Sequence, residues 1–280
     1  MISESMGASL LARESIDQFM DRLAASRRSA LLLDYDGTLA PFQVDRRRAT
    51  PYMGVVPTLQ TIISSGKTRV VIVTGREASQ VLPLLGIDPH PEVWGAHGLQ
   101  RLHPSGLCET APIDEARLAA LEAARARIET VQVQTEVKPG GVAVHWRGLP
   151  EVEAEVIRER VLREWFPIAQ RSSLKILEFE GGVEIRVSDI DKGAALRTIL
   201  HELGDSAPIA YLGDDATDER AFEALGDRGL SVLVRPEWRK SAAQVWLRPP
   251  DELLNFLTRW SVASTSEVNE DKCFRARRES

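Results

Sequence analysis

Three short apolar runs along this chain end abruptly on polar clusters. Ser29 to Leu33 stops at Asp34, Arg69 to Val73 stops at Thr74 and Gly75, and Pro208 to Leu212 stops at Gly213 and Asp214. Runs of this length without polar alternation read as strands buried on both faces. Between them lie stretches of helical spacing. Residues 9 to 27 bring Leu10, Leu11, Ile16, Phe19, Met20 and Leu23 onto one stripe. Gly193 to Leu203 does the same with Leu196, Ile199, Leu200 and Leu203, and Gly204 stands at the C′ position. Strands alternating with helices predict an α/β fold with a doubly wound, Rossmann-like parallel sheet. All strand C-termini of such a sheet open on one edge, so Asp34, Thr74 and Asp214 are expected to meet there.

From about 103 to 182 this rhythm breaks. The pattern predicts a helix over 114–129, strands over 131–137 and 142–147, a helix over 150–165 and a strand over 174–179. A hairpin turn at Glu180, Gly181 and Gly182 then leads into a strand over 183–187. The expected organisation is a discontinuous core of residues 1–102 and 183–262, an inserted α+β cap at 103–182, and a disordered tail at 263–280. Leu253, Leu254, Leu257 and Trp260 predict a last amphipathic helix in the core.

Strand alternation sorts the polar residues of the insertion. Val142, Val144 and Trp146 share one face, which puts His145 and Arg147 together on the other. By the same rule Glu184 and Arg186 oppose Val183, Ile185 and Val187, while Lys138 adjoins a Pro-Gly-Gly turn. Such a polar face is either the wet side of a half-exposed sheet or a surface that closes on a ligand.

Composition narrows the classes. The 280 residues, 43% of them hydrophobic, suffice for a large core with a smaller appended unit. A net charge of −6 is mild. The basic clusters at Arg46, Arg47 and Arg48 and at 275–278 are short and lack interleaved aromatics, which argues against nucleic-acid binding. No apolar run approaches the roughly 18 residues that cross a bilayer, and the N-terminus lacks a secretory pattern. A cytoplasmic monomer without membrane association is the expectation. Cys108 and Cys273 show neither a zinc spacing nor a disulfide framework and read as free thiols.

The first polar cluster, Asp34-Tyr35-Asp36-Gly37-Thr38, concentrates two carboxylates in a tight turn and so attracts a divalent cation. Mg²⁺ takes oxygen ligands in octahedral geometry, and Asp34, the backbone carbonyl of Asp36, and Asp214 fit that preference, with Asp215 and Asp218 as outer partners. Lys192, at a helix start after Asp191, and Thr74, at a strand end, can meet the oxygens of a phosphoryl group. Asp36 is suited to move protons to and from a leaving group. Arg76 reads either as a phosphate or sugar contact or as half of an ion pair within the core.

In order along the chain, DYDGTLAPF at 34–42, VIVTGR at 71–76, DKG at 191–193 and GDDATDE at 213–219 resemble the four motifs of the haloacid dehalogenase-like (HAD) superfamily. The resemblance spans about residues 29 to 260. It implies Asp34 as nucleophile, Asp36 as acid and base, Thr74 and Lys192 on the phosphate, and Asp214 on magnesium; the aspartate at 36 points to phosphatases. Ala40, Pro41 and Phe42, together with GDDATDERAF, are similar to the trehalose-6-phosphate phosphatases, which implies a disaccharide phosphate as substrate. That resemblance also implies sugar contacts from Lys138, His145, Arg147 and Glu184, and a place near the substrate for His97 in the Gly95-Ala96-His97-Gly98 loop. The chain departs from the pattern after Glu184, where relatives often carry a basic residue and proline and this sequence has Arg186 and Val187. Rival readings are a phosphatase for sucrose phosphate or glucosyl phosphoglycerate, and a regulatory module, which would lack the nucleophile or the metal ligands.

Overall fold

The computed structural model describes residues 16–265 except 132, 133 and 180. Its larger sheet has the order β12-β11-β10-β1-β2-β3-β4-β5. Strands β1 (Ser29–Leu33), β2 (Thr68–Val73), β3 (Glu92–Gly95), β10 (Ile209–Gly213), β11 (Leu230–Val234) and β12 (Val245–Leu247) run parallel. The short strands β4 (Gln100–Leu102) and β5 (Cys108–Thr110) add antiparallel at one edge.

Alternate residues of the central strands feed two cores. Leu31, Leu33, Val70, Ile72, Ala210 and Leu212 pack toward α1 (residues 16–25), α2 (Val55–Ser64), α3 (Ala78–Leu85) and α8 (Asp251–Thr265). Ala30, Leu32, Val71, Val73, Ile209 and Tyr211 pack toward α6 (Lys192–Leu203) and α7 (Glu219–Leu225). Helices thus cover both faces, as a buried parallel sheet requires. The chain leaves β1 for β2 and β3 on one side and returns to β10 on the other. This reversal of direction makes the C-terminal end of β1 the place where a crevice opens.

The insertion forms its own antiparallel sheet, β6-β7-β9-β8, from β6 (Gln134–Lys138), β7 (Gly141–His145), β8 (Leu174–Phe179) and β9 (Gly182–Val187). Helices α4 (Glu115–Ile128) and α5 (Glu151–Arg171) pack on one face of it, around Val142, Val144, Val183, Ile185 and the fully buried Trp165. Asp114 caps α4 by accepting a hydrogen bond from the Arg117 amide, which fixes where that helix begins.

Several boundaries differ from the sequence expectations. Strand β9 pairs with β7 and β8, so residues 183–187 lie in the cap sheet and not in the core sheet. Strand β5 pairs with β4, so residues 108–110 extend the core sheet. The alternation of 183–187 and its hairpin partner 174–179 were legible in the sequence; the pairing with β7 was not. Helix α5 continues past Trp165 through Pro167 to Arg171, because Ile168 and Ala169 still pack on the cap core. Strand β7 stops at His145, leaving Arg147 just beyond its end. Helix α8 runs to Thr265, past the expected start of the tail; the remaining tail residues, Cys273, Glu180 and the part of the first helix before 16 lie outside the described residues.

Candidate active site

Asp34, Thr74 and Asp214 are the residues that follow β1, β2 and β10, and the parallel register brings them together. The Asp34 amide donates to the Leu212 carbonyl at 2.8 Å, stitching the loop after β1 to the strand that leads to Asp214. Gly37, at φ 83, turns the first loop tightly under Asp214; a Cβ there would stand 2.2 Å from Asp214 Oδ2. Glycine is therefore the residue that lets this loop and the facing carboxylate approach.

Lys192 projects from the N-terminus of α6, which Asp191 caps through the Ala194 amide. Its ammonium lies 2.8 Å from Asp34 Oδ1 and 2.7 Å from Asp218 Oδ1. These two carboxylates outweigh the burial that alone would lower its pKa, and the lysine stays charged. Asp218 Oδ1 also accepts from Tyr211 Oη at 2.6 Å, and its Oδ2 accepts the amides of Asp214 and Asp215 at 3.1 and 3.0 Å. With four donors on two oxygens, Asp218 has its lone pairs engaged within the protein. Asp215 faces the cleft and caps the turn at Ala216.

Asp34, Asp214 and Asp218 place carboxylate oxygens within 4.8 Å of one another. Burial pushes the Asp34 carboxyl up to about 7, with Lys192 opposing and the Asp218 charge adding to the rise. Burial and the neighbouring charges of Asp34, Asp218 and Asp215 raise Asp214 further. Asp214 Oδ1 accepts from Thr38 Oγ1 at 3.4 Å, while its buried Oδ2 has no hydrogen-bond partner. A buried orphan oxygen beside a second raised carboxylate matches a divalent cation, which would satisfy both.

Asp36 has a different environment. The Arg76 guanidinium grips both of its oxygens, Nε to Oδ2 at 2.7 Å and Nη2 to Oδ1 at 2.6 Å, and Arg46 Nη2 stands 3.7 Å from Oδ2. Burial alone would raise the Asp36 pKa, but the two arginines hold it below the ordinary value. Of the two readings of Arg76, this geometry shows the ion pair within the core. Its side chain is turned to Asp36 and is 3% exposed, because the bidentate pair compensates its burial.

The cap brings its polar face onto this crevice. Lys138, His145, Arg147 and Glu184 line one cavity together with Asp34, Thr74, His97 and Lys192. Lys138 Nζ donates to Glu184 Oε1 at 3.1 Å, and His97 Nε2 meets Glu184 Oε2 at 3.0 Å. Burial would raise the Glu184 carboxyl, but Lys138 and His97 hold it well below the usual range. This face is not the wet side of a half-exposed sheet: Lys138 and Glu184 are 8% and 3% exposed, and Glu184 meets His97 of the core. Arg186, on the same face, is buried and does not line the cavity.

Two further residues belong here that the sequence reading left out. Glu136 accepts from His145 Nε2 at 3.0 Å and pairs with Arg46. Burial opposes ionisation of Glu136, yet His145, Lys138 and Arg46 bring its pKa down to about 2. Strand alternation was a usable signal for Glu136, two residues before Lys138 on the same face. Arg46 opens the short 3-10 helix Arg46–Arg48 in the loop after β1 and gave none.

Comparison with known proteins agrees with this geometry. Residues 32–245 match the family model described as trehalose-phosphatase. The chain is similar to the trehalose-phosphate phosphatase of Mycobacterium marinum, 32% identical over 247 residues that make up 83% of this chain and 61% of that protein. It thus spans about three-fifths of that relative's length. In fold it is similar to the C-terminal domain of Candida albicans trehalose-6-phosphate phosphatase, with TM-score 0.76 and 20% identity over 88% of this chain and 96% of that one. The C-terminal domain of a Candida albicans trehalose synthase regulatory protein gives TM-score 0.66 and 16% identity over 87% and 97%.

Proposed function

The chain belongs to the trehalose-phosphatase family, and from that premise we propose that it hydrolyses trehalose 6-phosphate to trehalose and inorganic phosphate through a phosphorylated Asp34. The observation that carries the reading is the orientation of Asp34. Its carboxylate, held by Lys192, faces the orphaned Asp214 oxygen under a cap whose polar residues line the same cavity.

In this mechanism an Asp34 oxygen attacks phosphorus, an aspartyl–phosphate bond forms, and the bond from phosphorus to the sugar C6 oxygen breaks. Asp36, kept ionised in the free site by its arginines, takes up a proton beside the arriving phosphate dianion and gives it to that oxygen as the sugar leaves. It then takes a proton from the water that attacks the aspartyl-phosphate, which returns Asp34 and releases phosphate. Lys192 and Thr74 neutralise and orient the transferring oxygens. Asp34, Asp214 and the Asp36 carbonyl would hold Mg²⁺, with Asp215 and Asp218 behind them. A bound cation supplies the positive charge that lets a carboxylate and a phosphate dianion approach.

The cap reads the sugar in this proposal, through Glu136, Lys138, His145, Arg147, Glu184 and the core residue His97. The cleft measures about 90 Å³, well below the roughly 300 Å³ of a small-molecule site, so the cap opens to admit a disaccharide. Among the described residues no helix is long and apolar enough to cross a membrane. Sugar phosphates are charged and stay in the compartment that makes them, so a final step of trehalose synthesis belongs in the cytoplasm.

The test is phosphate release from trehalose 6-phosphate, sucrose 6-phosphate, glucose 6-phosphate and glucosyl phosphoglycerate, each with magnesium and with chelator. Magnesium-dependent preference for trehalose 6-phosphate supports the reading. Preference for another sugar phosphate would reassign the cap, and no turnover on any would favour a regulatory module.

A further inference from the structure

Residues 42 to 46 form a strip on the core that ends in the short 3-10 helix Arg46–Arg48, and Phe42, Val44 and Arg46 of that strip meet the cap. The Phe42 ring lies 4.2 Å from the Arg147 guanidinium carbon. Val44 Cγ2 lies 3.2 Å from where a Cβ on Gly148 would stand. Arg46 pairs with Glu136 of β6. Arg47 does not share this orientation, since its guanidinium folds back on Asp45 and its side chain is 90% exposed.

Arg46 differs from the other two contacts because its guanidinium also reaches the reaction centre. One nitrogen pairs with Glu136, and the other stands 3.7 Å from Asp36 Oδ2, on the oxygen that Arg76 Nε holds from its own side. Glu136 belongs to the cap and Asp36 to the core, so the chain of charges Asp36–Arg46–Glu136 is complete only while β6 lies over the strip. Opening the cap by a few ångströms removes Glu136 from Arg46, which stays on the core beside Asp36 and Arg76 but loses one of the two carboxylates that hold its guanidinium. A planar, permanently charged fork suits this double contact, and a lysine ammonium cannot span both carboxylates in the same way.

We propose that the strip Phe42-Val44-Arg46 is the docking edge for the cap, and that Arg46 is a positioning residue coupling cap closure to the acid–base carboxylate Asp36. It deepens the proposed phosphatase reading and rests on it for its kinetic arm only. Closure then does two things at once: it covers the sugar and completes the charge environment of Asp36.

The experiment places spin labels on cysteines at Val156, exposed on α5, and Met53, exposed on the core, in a chain whose Cys108 and Cys273 are serine. Distances are compared for the labelled parent, Arg46→Gln, Arg46→Lys, Glu136→Gln and the double variant Arg46→Gln/Glu136→Gln, all without substrate. The expected result is a longer-distance population in Arg46→Gln and Glu136→Gln, little further change in the double variant, and only partial return with lysine. In kinetics, Arg46→Gln should raise KM for trehalose 6-phosphate about tenfold with a smaller fall in kcat, since closure contributes to ground-state binding. Its effect on p-nitrophenyl phosphate, which has no sugar for the cap, should be smaller. Distances identical to the parent in both single variants, or additive changes in the double variant, would overturn the coupling. A parent inactive on trehalose 6-phosphate would instead overturn the substrate reading, and the label distances would still decide the role of Arg46.

Discussion

His97 of the core meets Glu184 of the cap at 3.0 Å, and its imidazole occupies room that a glycine at position 75 leaves open. The His97 backbone lies in the left-handed region at φ 58, next to Ala96 at φ 47. The corner is held by the Ala96 amide on the Arg76 carbonyl and the His97 amide on the Thr74 carbonyl. Non-glycine residues in that region persist where surrounding contacts over-determine them, typically at functional sites. Burial, with Arg186 nearby, lowers the His97 pKa to about 3, so at neutral pH its Nε2–H donates to Glu184 as a neutral ring.

Gly75→Ala follows as the sharpest probe of this contact. The new Cβ would stand 2.6 Å from His97 Cε1 and would push the ring off Glu184. The expected outcome is about a tenfold rise in KM for trehalose 6-phosphate and a loss of about 1–3 kcal/mol in stability from overpacking. Steady-state kinetics and urea denaturation check it, and parental values in both would show that the His97–Glu184 contact does not matter.

Lys192→Met tests the centre itself. It removes the one ammonium that both Asp34 and Asp218 touch and leaves buried carboxylates uncompensated. Breaking a buried ion pair from one side costs about 3–5 kcal/mol, and turnover should fall at least ~10³-fold as for other lost charge stabilisers. Chemical denaturation and single-turnover phosphate release measure the two effects separately.

Much of this centre was legible in the sequence because it sits at strand ends. An apolar run ending in a polar cluster specifies both the strand and the place where its last residue emerges, which is how Asp34, Thr74 and Asp214 could be grouped. Lys192 was legible as a helix start. The direction of Arg76 was not, since a sequence offers no way to tell an arginine facing Asp36 from one facing the cleft. Strand pairing was legible in part: the turn expected at 180–182 pairs β9 with β8 as a hairpin, whereas its pairing with β7 rests on hydrogen bonds between residues far apart in the sequence. Arg46 was read with Arg47 and Arg48 as a short basic cluster. Yet the three differ in their partners, Arg46 taking Asp36 and Glu136 while Arg47 takes Asp45.

The division of labour between core and cap predicts that damage to the cap interior spares the chemistry. Trp165 is fully buried at the centre of the cap core, and its Nε1 donates to the Ala124 carbonyl at 3.0 Å. Trp165→Ala should cost the cap about 3–5 kcal/mol. Limited proteolysis should then cut within residues 115–187 before it cuts the core. Magnesium-dependent turnover of p-nitrophenyl phosphate should persist while selectivity for the disaccharide phosphate is lost. Equal loss of both activities would show that the cap supports the core fold as well as the sugar.

The raised carboxyls at the centre make a prediction about stability that needs no substrate. Burial lifts Asp34 from its ordinary 3.8 to about 7, Lys192 opposing and Asp218 reinforcing, and Asp214 is lifted in the same direction. Between those two values the folded chain binds a proton that the unfolded chain has released. Without metal, stability is therefore greatest below about pH 4 as far as Asp34 is concerned, and is lost as pH rises through about 7. A divalent cation held by Asp34 and Asp214 replaces that proton, so it should flatten the dependence and stabilise most on the alkaline side. Thermal unfolding from about pH 5 to about pH 8, with chelator and with magnesium, should give two curves that diverge as pH rises. Curves that stay parallel would remove these carboxylates as the cation site, because a metal bound elsewhere has no reason to compete with their protons.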